Sequence, residues 1–456
     1  MERGAGKGVG GRRLLLINPI QALRGRRQRG WNGNRFVPPL SLAYVAALTP
    51  DHWQVRIADE NAGDDAIRLV QRWGFVPDLV GISSYTATIP RAYELAAHFR
   101  SRGIPVVVGG SHASARPQEV VRHTGVAFVG QAEGAWPRLL QDFETGRLEE
   151  VYEGGMPPLE GLPRPRRDLY PHRYFFEAVL TAKGCPYTCE FCSVWRAYER
   201  RFYQRPVEEV LDELDRVRAR HLFFVDDNFA VNARRTETLC RGMVERGLGK
   251  RFAIQASMEV GLNEKLLGWL ERAGCFLVSV GLESQEEETL QHLRKASNLK
   301  VGVSRFKEVI SNVHAHGMAV SASIIYGHDQ DTAQTFRELE AFVAESGLDS
   351  VVHTILTPLP GTDLEERLAA EGRLLDLPLP EAYTYFDAHH VAYVPARVSP
   401  EELLAANRAA VQHWSSSPAL VRNLWRTWQR TGSPLAALAA FQNNRWAGIN
   451  ARSSAR

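Results

Sequence analysis

The feature that most limits the fold is a repeated alternation. Short, nearly continuous apolar runs are each followed by a stretch with the period of an amphipathic helix. In the first third of the chain the runs fall at 13–19, 55–59, 79–83, 105–110 and 127–130. Strands apolar on both faces, with helices between them, define a parallel sheet covered on both sides. An α/β fold of the doubly wound, Rossmann-like kind is therefore expected over residues 13–150. A second series follows at 177–182, 221–226, 251–257, 276–283, 319–327 and 350–358. Six successive βα units predict a partial (βα)6 TIM-like barrel over 176–375.

The rest of the chain breaks this pattern. Residues 1–12 read as a flexible tail, and Gln21 to Phe36 as a basic, Gly-rich excursion. The Gly- and Pro-rich stretch 151–175 has no period and reads as a linker. Residues 376–456 form a helical C-terminal region. Ser399 and Glu402 have capping-box spacing, and 403–414 and 420–430 have a helical period. Trp414, Trp425, Trp428 and Trp446 are expected in the core of this region, closing the open side of the barrel and shaping its pocket.

Three of five cysteines lie within eight residues, Cys185, Cys189 and Cys192, spaced C-x3-C-x2-C. They follow the apolar run 178–182, so they sit on the loop at a strand's C-terminal end, where barrels place their chemistry. Three thiolates on one loop suit three irons of a [4Fe-4S] cluster and leave the fourth iron open. Zinc is the main rival, since it also takes thiolates, but no second Cys/His pair stands at a structural-zinc spacing. Five cysteines in a chain of 456 residues with no secretory segment argue against a disulfide framework. Cys240 and Cys275 read as buried structural thiols. His314 and His316, two apart on a helix, point to different faces.

Composition closes off other classes. Hydrophobic residues are 44% and charged residues 23%, ordinary for a globular protein. A net charge of +3 is too small to argue for nucleic acid. No apolar run approaches the roughly 18 residues of a transmembrane segment, and scarce cysteine beside an oxygen-labile site points to the cytoplasm.

The strand ends carry small or polar residues. In the first domain these are Ser83-Ser84-Tyr85-Thr86, Gly109-Gly110-Ser111-His112 and Gly130-Gln131-Ala132-Glu133-Gly134. They read either as ordinary βα turns or as ligand-approach loops. In the second domain Asp226-Asp227-Asn228 ends the second strand, either facing the cavity or capping the next helix. Ser257 and Glu259 end the third strand, Gly281-Leu282-Glu283-Ser284 the fourth, and Ile325-Tyr326-Gly327 the fifth. Leu356-Thr357-Pro358 follows the sixth.

C-x3-C-x2-C with Phe191 before the third cysteine resembles the signature of radical S-adenosylmethionine (SAM) enzymes. The resemblance implies that Cys185, Cys189 and Cys192 bind the cluster and that SAM chelates the open iron. SAM cleavage then gives a 5′-deoxyadenosyl radical. It places Phe191, Ser257, Gly281, Glu283, Ser284, Tyr326 and Leu356 around SAM, with Gly281 giving clearance and Glu283 accepting from the SAM ammonium. The acidic residues after the second strand would face the substrate pocket.

With a Rossmann-like domain before that motif, the sequence resembles the cobalamin-binding class of these enzymes. Asn18-Pro19, the Pro-Pro-Leu helix start and the two Gly-rich turns carry this likeness. It implies cobalamin contacts from Asn18, Ser83, Tyr85, Thr86, Gly109, Gly110, His112, Gly130, Glu133 and Gly134. The D-x-H-x-x-G motif that supplies a lower cobalt ligand elsewhere is absent. Asp387-Ala388-His389 echoes it by chance, with Ala392 at the Gly position. His112 is therefore expected to be a loop histidine near the nucleotide tail. The C-terminal region loosely resembles that of hopanoid and bacteriochlorophyll C-methylases.

The implied activity is methylation of an unactivated carbon through the 5′-deoxyadenosyl radical and methylcobalamin. Cyclisation, ring contraction or rearrangement without methyl transfer is the alternative, and a non-catalytic iron–sulfur or zinc protein the second. The implied partners are a small-molecule or peptide substrate and an external one-electron reductant of flavodoxin or ferredoxin type.

Overall fold

Every strand of the two main sheets runs parallel to its neighbours, as strands apolar on both faces require. The structure, a computed structural model, describes residues 11–23, 26–27 and 35–454. Most of the tail and much of the 21–36 excursion lie outside the described residues. The chain divides into two units. The first holds residues up to Arg35, Pro39–Pro157 and Leu162–Arg173. The second holds Phe36–Pro38, Pro158–Gly161 and Tyr174–Arg456.

The first unit has strands β1 (Arg13–Asn18), β2 (Gln54–Asp59), β3 (Leu79–Ser83), β4 (Val106–Gly109), β5 (Gly125–Val129) and β6 (Val151–Glu153). Their order is β2-β1-β3-β4-β5-β6. This is a doubly wound sheet whose switch point lies between β1 and β3. Leu14, Leu16, Leu79, Val107, Phe128 and Trp136 are buried in one core on a single face. β6 falls within the stretch expected to be a linker. It pairs with β5 through three residues, Ala127 with Val151 to Val129 with Glu153. Three residues are too few to carry a readable period. A buried ion pair braces the unit. Arg91 binds Glu60 through two nitrogens, at 2.9 and 2.8 Å, and both side chains are nearly inaccessible.

The second unit has strands β7 (Glu177–Val179), β8 (His221–Phe224), β9 (Arg251–Ala256), β10 (Cys275–Glu283), β11 (Ala319–Tyr326) and β12 (Ser350–Ile355). They lie in chain order, β12-β11-β10-β9-β8-β7, and β7 and β12 are not paired. This is the open (βα)6 arrangement. β7 is shorter than expected because the chain leaves the sheet after Val179. Ala182 and Lys183 instead pair antiparallel with Gln204 and Tyr203, which ties the base of the cysteine loop.

Three helices follow, Pro400–Trp414, Ser417–Thr431 and Pro434–Ser454. The first begins on the Ser399–Glu402 capping box. The third closes the open side of the barrel. Its Ala436 and Ala439 pack with Phe176, Ala253, Leu277 and Ala319. Its Asn444 accepts from Val351 N–H at 3.1 Å and donates to Asp349 C=O at 2.9 Å. Closure thus rests on alanine and asparagine rather than on the tryptophans. Only Trp414 of the four is buried, while Trp425, Trp428 and Trp446 are exposed.

Candidate active site, a cysteine loop over an open barrel

Small side chains open the barrel interior. Ala253, Ser279, Gly281, Ser321 and Ser323 line a cavity of about 530 Å³, together with Cys185, Cys189 and Cys192. Alternation along the strands aims these residues inward. All three cysteines are free. Burial pushes each thiol up, Cys192 to about 12, while Lys295 pulls in the opposite direction. Among the described residues no three His, Cys, Asp or Glu converge on one ion position. A cluster takes one thiolate per iron, so its ligands stand apart around a shared volume. Three free thiols on one cavity wall beside a cation match that donor set.

The loop is pinned at several points. Gly184 has φ +88°, and a side chain there would collide with Arg201 C=O. Its N–H donates to Asp227 Oδ2 at 2.8 Å. Asp226 accepts from Thr181 N–H at 2.7 Å and Thr181 Oγ1 at 2.5 Å. Asn228 places Nδ2 4.0 Å from Cys185 Sγ and accepts from Ser257 N–H at 3.3 Å. Trp195 Nε1 donates to Cys189 C=O at 3.0 Å, and Glu190 binds Arg367 at 2.6 Å.

The two acidic residues after β8 therefore differ in role. Asp226 is fully buried and is not on the cavity wall. Burial pushes its carboxyl up to about 6. Asp227 and Asn228 do line the cavity, but Asp227 also holds the loop. Backbone N–H groups of the loop need acceptors, and these side chains supply them.

Phe191, Ser257, Gly281 and Glu283 line the cavity. Glu283 sits at φ +65° beside a bulge between Gly281 and Glu283. Its Oε1 binds Lys295 Nζ at 2.8 Å, and its Oε2 is buried without a hydrogen-bond partner. An unused carboxylate oxygen in a cavity fits an ammonium donor such as that of SAM. Gly281 gives clearance to this ion pair, since a side chain there would strike Glu283 Oε1 and Lys295 Nζ.

Ser284, Tyr326 and Leu356 are not on the cavity wall. Ser284 Oγ accepts from Glu286 N–H at 3.1 Å. Tyr326 is one residue out of phase with Ser321 and Ser323, so it faces the helices, where Oη donates to Glu340 and lies 3.2 Å from His353 Nδ1. Leu356 is buried beyond the end of β12.

Sequence reasoning missed Lys295, which lines the cavity, half-buried, with Nζ 5.8 Å from the Phe191 ring centre. It also missed His389, which lines the cavity with Nδ1 buried and without a partner. The strained Ala388 (φ +65°) and the Asp387 carboxylate, accepting from His389 N–H at 2.9 Å, set that loop. Asn443 and Trp446 of the last helix complete the wall.

In the first unit the expected cobalamin residues gather at the C-terminal ends of β1, β3, β4 and β5. Asn18 donates to Asp59 at 2.8 Å, and Tyr85 is 49% exposed. The crevice outside a switch point accepts a large ligand. Gly110 and Gly134 answer to the protein itself. A side chain on Gly110 would meet Ser84 C=O, and one on Gly134 would meet Gly154 C=O. His112 is not a loop residue. It is buried in the short helix Ser111–Ala115, 3.3 Å from Thr86 Oγ1 and 3.4 Å from Glu119 Oε1.

A family profile described as the Radical SAM superfamily matches residues 179–343, and one described as the B12 binding domain matches residues 34–140. The chain is 28% identical over 379 residues to bacteriochlorophyllide d C-12(1)-methyltransferase of Chlorobaculum tepidum, covering 80% of each chain. It is 28% identical over 357 residues to hopanoid C-2 methylase of Rhodopseudomonas palustris, covering 75% of this chain and 66% of that one. In fold it aligns with the radical SAM methyltransferase TsrM from Kitasatospora setae, bound to tryptophan and aza-SAM. The TM-score is 0.71 at 18% identity, covering 98% of this chain and 100% of that one.

The fold and the cysteine-lined cavity are those of a radical SAM enzyme with a B12-binding domain. This chain belongs to the cobalamin-binding radical SAM enzymes, and its cofactors are a [4Fe-4S] cluster, SAM and cobalamin. Among the described residues no helix is long and apolar enough to cross a membrane.

Proposed function

We propose that this protein methylates an unactivated carbon. The observation that carries the reading is the presence in one chain of a cysteine-lined cavity, holding a buried carboxylate with one oxygen lacking a hydrogen-bond partner, and of a B12-binding domain. When bound, the cluster, SAM and cobalamin supply a carbon-centred radical and a transferable methyl group.

The chain's own residues bind, orient and exclude. Cys185, Cys189 and Cys192 hold the cluster. Glu283 Oε2 accepts from the SAM ammonium, and Lys295 binds Glu283 Oε1 and favours thiolates by charge. Ser257 and Phe191 line the same site, and Asn228 sets the Cys185 sulfur. Asn18, Ser83, Tyr85, Thr86, Gly109, Gly130 and Glu133 receive cobalamin, with Gly110 and Gly134 shaping the turns. His389 and Trp446 face the substrate, a small molecule or peptide. An external one-electron reductant of flavodoxin or ferredoxin type serves the cluster, and an oxygen-labile centre suits the cytoplasm.

The test is anaerobic turnover with methyl-labelled SAM, reductant and fractionated cell extract. Methyl transfer gives 5′-deoxyadenosine and S-adenosylhomocysteine together, with label in a product. 5′-Deoxyadenosine without S-adenosylhomocysteine or labelled product would sink the methylation reading.

A further inference from the structure

The Ser417–Thr431 helix buries polar side chains and exposes large apolar ones. Its buried residues are Ala419, Leu420, Asn423, Thr427 and Thr431. Asn423 Nδ2 and Thr427 Oγ1 are buried there without hydrogen-bond partners. Its outer side carries Val421, Trp425 and Trp428, at 64%, 54% and 45% exposure. Positions i, i+4 and i+7 share one helix face. A helix built only for water would do the reverse, and a cluster of large exposed apolar side chains marks an interaction surface.

The charge of this part of the chain is one-sided. Residues 403–456 contain seven arginines and neither lysine, aspartate nor glutamate. That segment is formally +7, so the remainder of the chain is −4 against a total of +3. Arg422 and Arg426 are exposed on the same helix, beside the tryptophans.

We propose that this helix docks the protein onto an anionic lipid bilayer. Trp425, Trp428 and Val421 enter the boundary between headgroups and acyl chains, and the arginines meet lipid phosphates. Indoles favour that boundary, and basic residues beside them add attraction to anionic lipid. A second copy of this chain fits poorly, because two +7 segments repel. Nucleic acid would engage the arginines but leave Val421 idle. The two indoles also pack edge to face, 5.1 Å apart at 72°, rather than standing open as stacking platforms. The docked helix packs against Pro434–Ser454, whose Trp446 lines the active-site cavity. Docking therefore sets one wall of the cavity in the lipid-facing helix pair.

The experiment is flotation of the holoprotein with phosphatidylcholine vesicles, with or without phosphatidylglycerol, alongside quenching of indole fluorescence by brominated-chain lipid. The wild type should float with phosphatidylglycerol vesicles at least about tenfold more than with phosphatidylcholine alone. Its fluorescence should be quenched. Trp425→Ser with Trp428→Ser, and separately Arg422→Gln with Arg426→Gln, should each lower binding about tenfold. All four positions are exposed, and the wild-type quenching stands without any variant. Absence of flotation and quenching in the wild type would overturn the proposal. So would binding indifferent to both double variants. It would also fall if those variants instead abolished retention on nucleic acid or reduced the solution mass of an oligomer.

Discussion

Glu283 holds Lys295 through Oε1 at 2.8 Å and keeps Oε2 buried with no hydrogen-bond partner. Lys295 in turn lines the same cavity as Cys189 and Cys192. The pair links the cluster site to the SAM site through charge. Glu283→Gln keeps the shape but removes the charge. SAM affinity of the reconstituted protein should fall about 10- to 100-fold by calorimetry, as for a lost charged hydrogen bond. Unchanged affinity would remove Glu283 from the SAM site.

Lys295→Met tests the other half of the pair. It leaves a carboxylate that is 5% exposed without its cation. Such losses cost about 3–5 kcal/mol. Urea denaturation should record that loss, and reconstitution should yield less cluster because the thiols lose their nearby positive charge.

The cysteine loop depends on Gly184. Its φ of +88° and the closeness of Arg201 C=O leave no room for a side chain. Gly184→Ala should lower iron per chain after anaerobic reconstitution at least about twofold, with the overall circular dichroism spectrum kept. Full iron loading would show that the loop tolerates another path.

In the first unit Arg91→Met should destabilise by about 3–5 kcal/mol in urea melts, because Glu60 has 0% side-chain exposure. A change under about 1 kcal/mol would mean that Glu60 finds water or another donor.

His316 gives a pH signature. Burial pulls its pKa down, but hydrogen bonds to Glu271 at 2.7 Å and Glu264 at 2.9 Å prevail and raise it above 6.5. A raised folded-state pKa makes the stabilisation full below pH 6.5, and it is lost as pH rises through the folded value. Both carboxylates are exposed, so screening limits the effect. His316→Gln should cost about 0.5–1 kcal/mol near pH 5.5 and almost nothing near pH 9. Equal costs at both would assign the effect to packing.

The parallel sheets were legible because apolar periodicity encodes them directly. So was the cysteine loop, whose spacing is local. Lys295 was not. It shares the cavity with the thiols only because the segment after β10 folds back, and a lone lysine has no periodic signal. Asp226 was read as a cavity group since a strand-end acid looks the same whether it meets ligand or backbone. Tyr326 failed by one residue of strand phase, which reverses the face a side chain takes. The Pro434–Ser454 helix fell within the expected helical region but was not delimited, because alanines and asparagines make no apolar stripe, yet small size is what lets it pack against the barrel strands. Trp425 and Trp428 were expected inside because aromatic stripes usually are. Here the neighbouring polar residues took the buried face.

The account stands on an iron–sulfur cluster with one iron left free for SAM. Electron paramagnetic resonance of the reduced, anaerobically reconstituted protein tests this, with and without SAM and with Cys185→Ala beside the wild type. The prediction is a [4Fe-4S] signal in the wild type that shifts when SAM is added, and its loss in the variant. A signal indifferent to SAM, or zinc in place of iron, would contradict it.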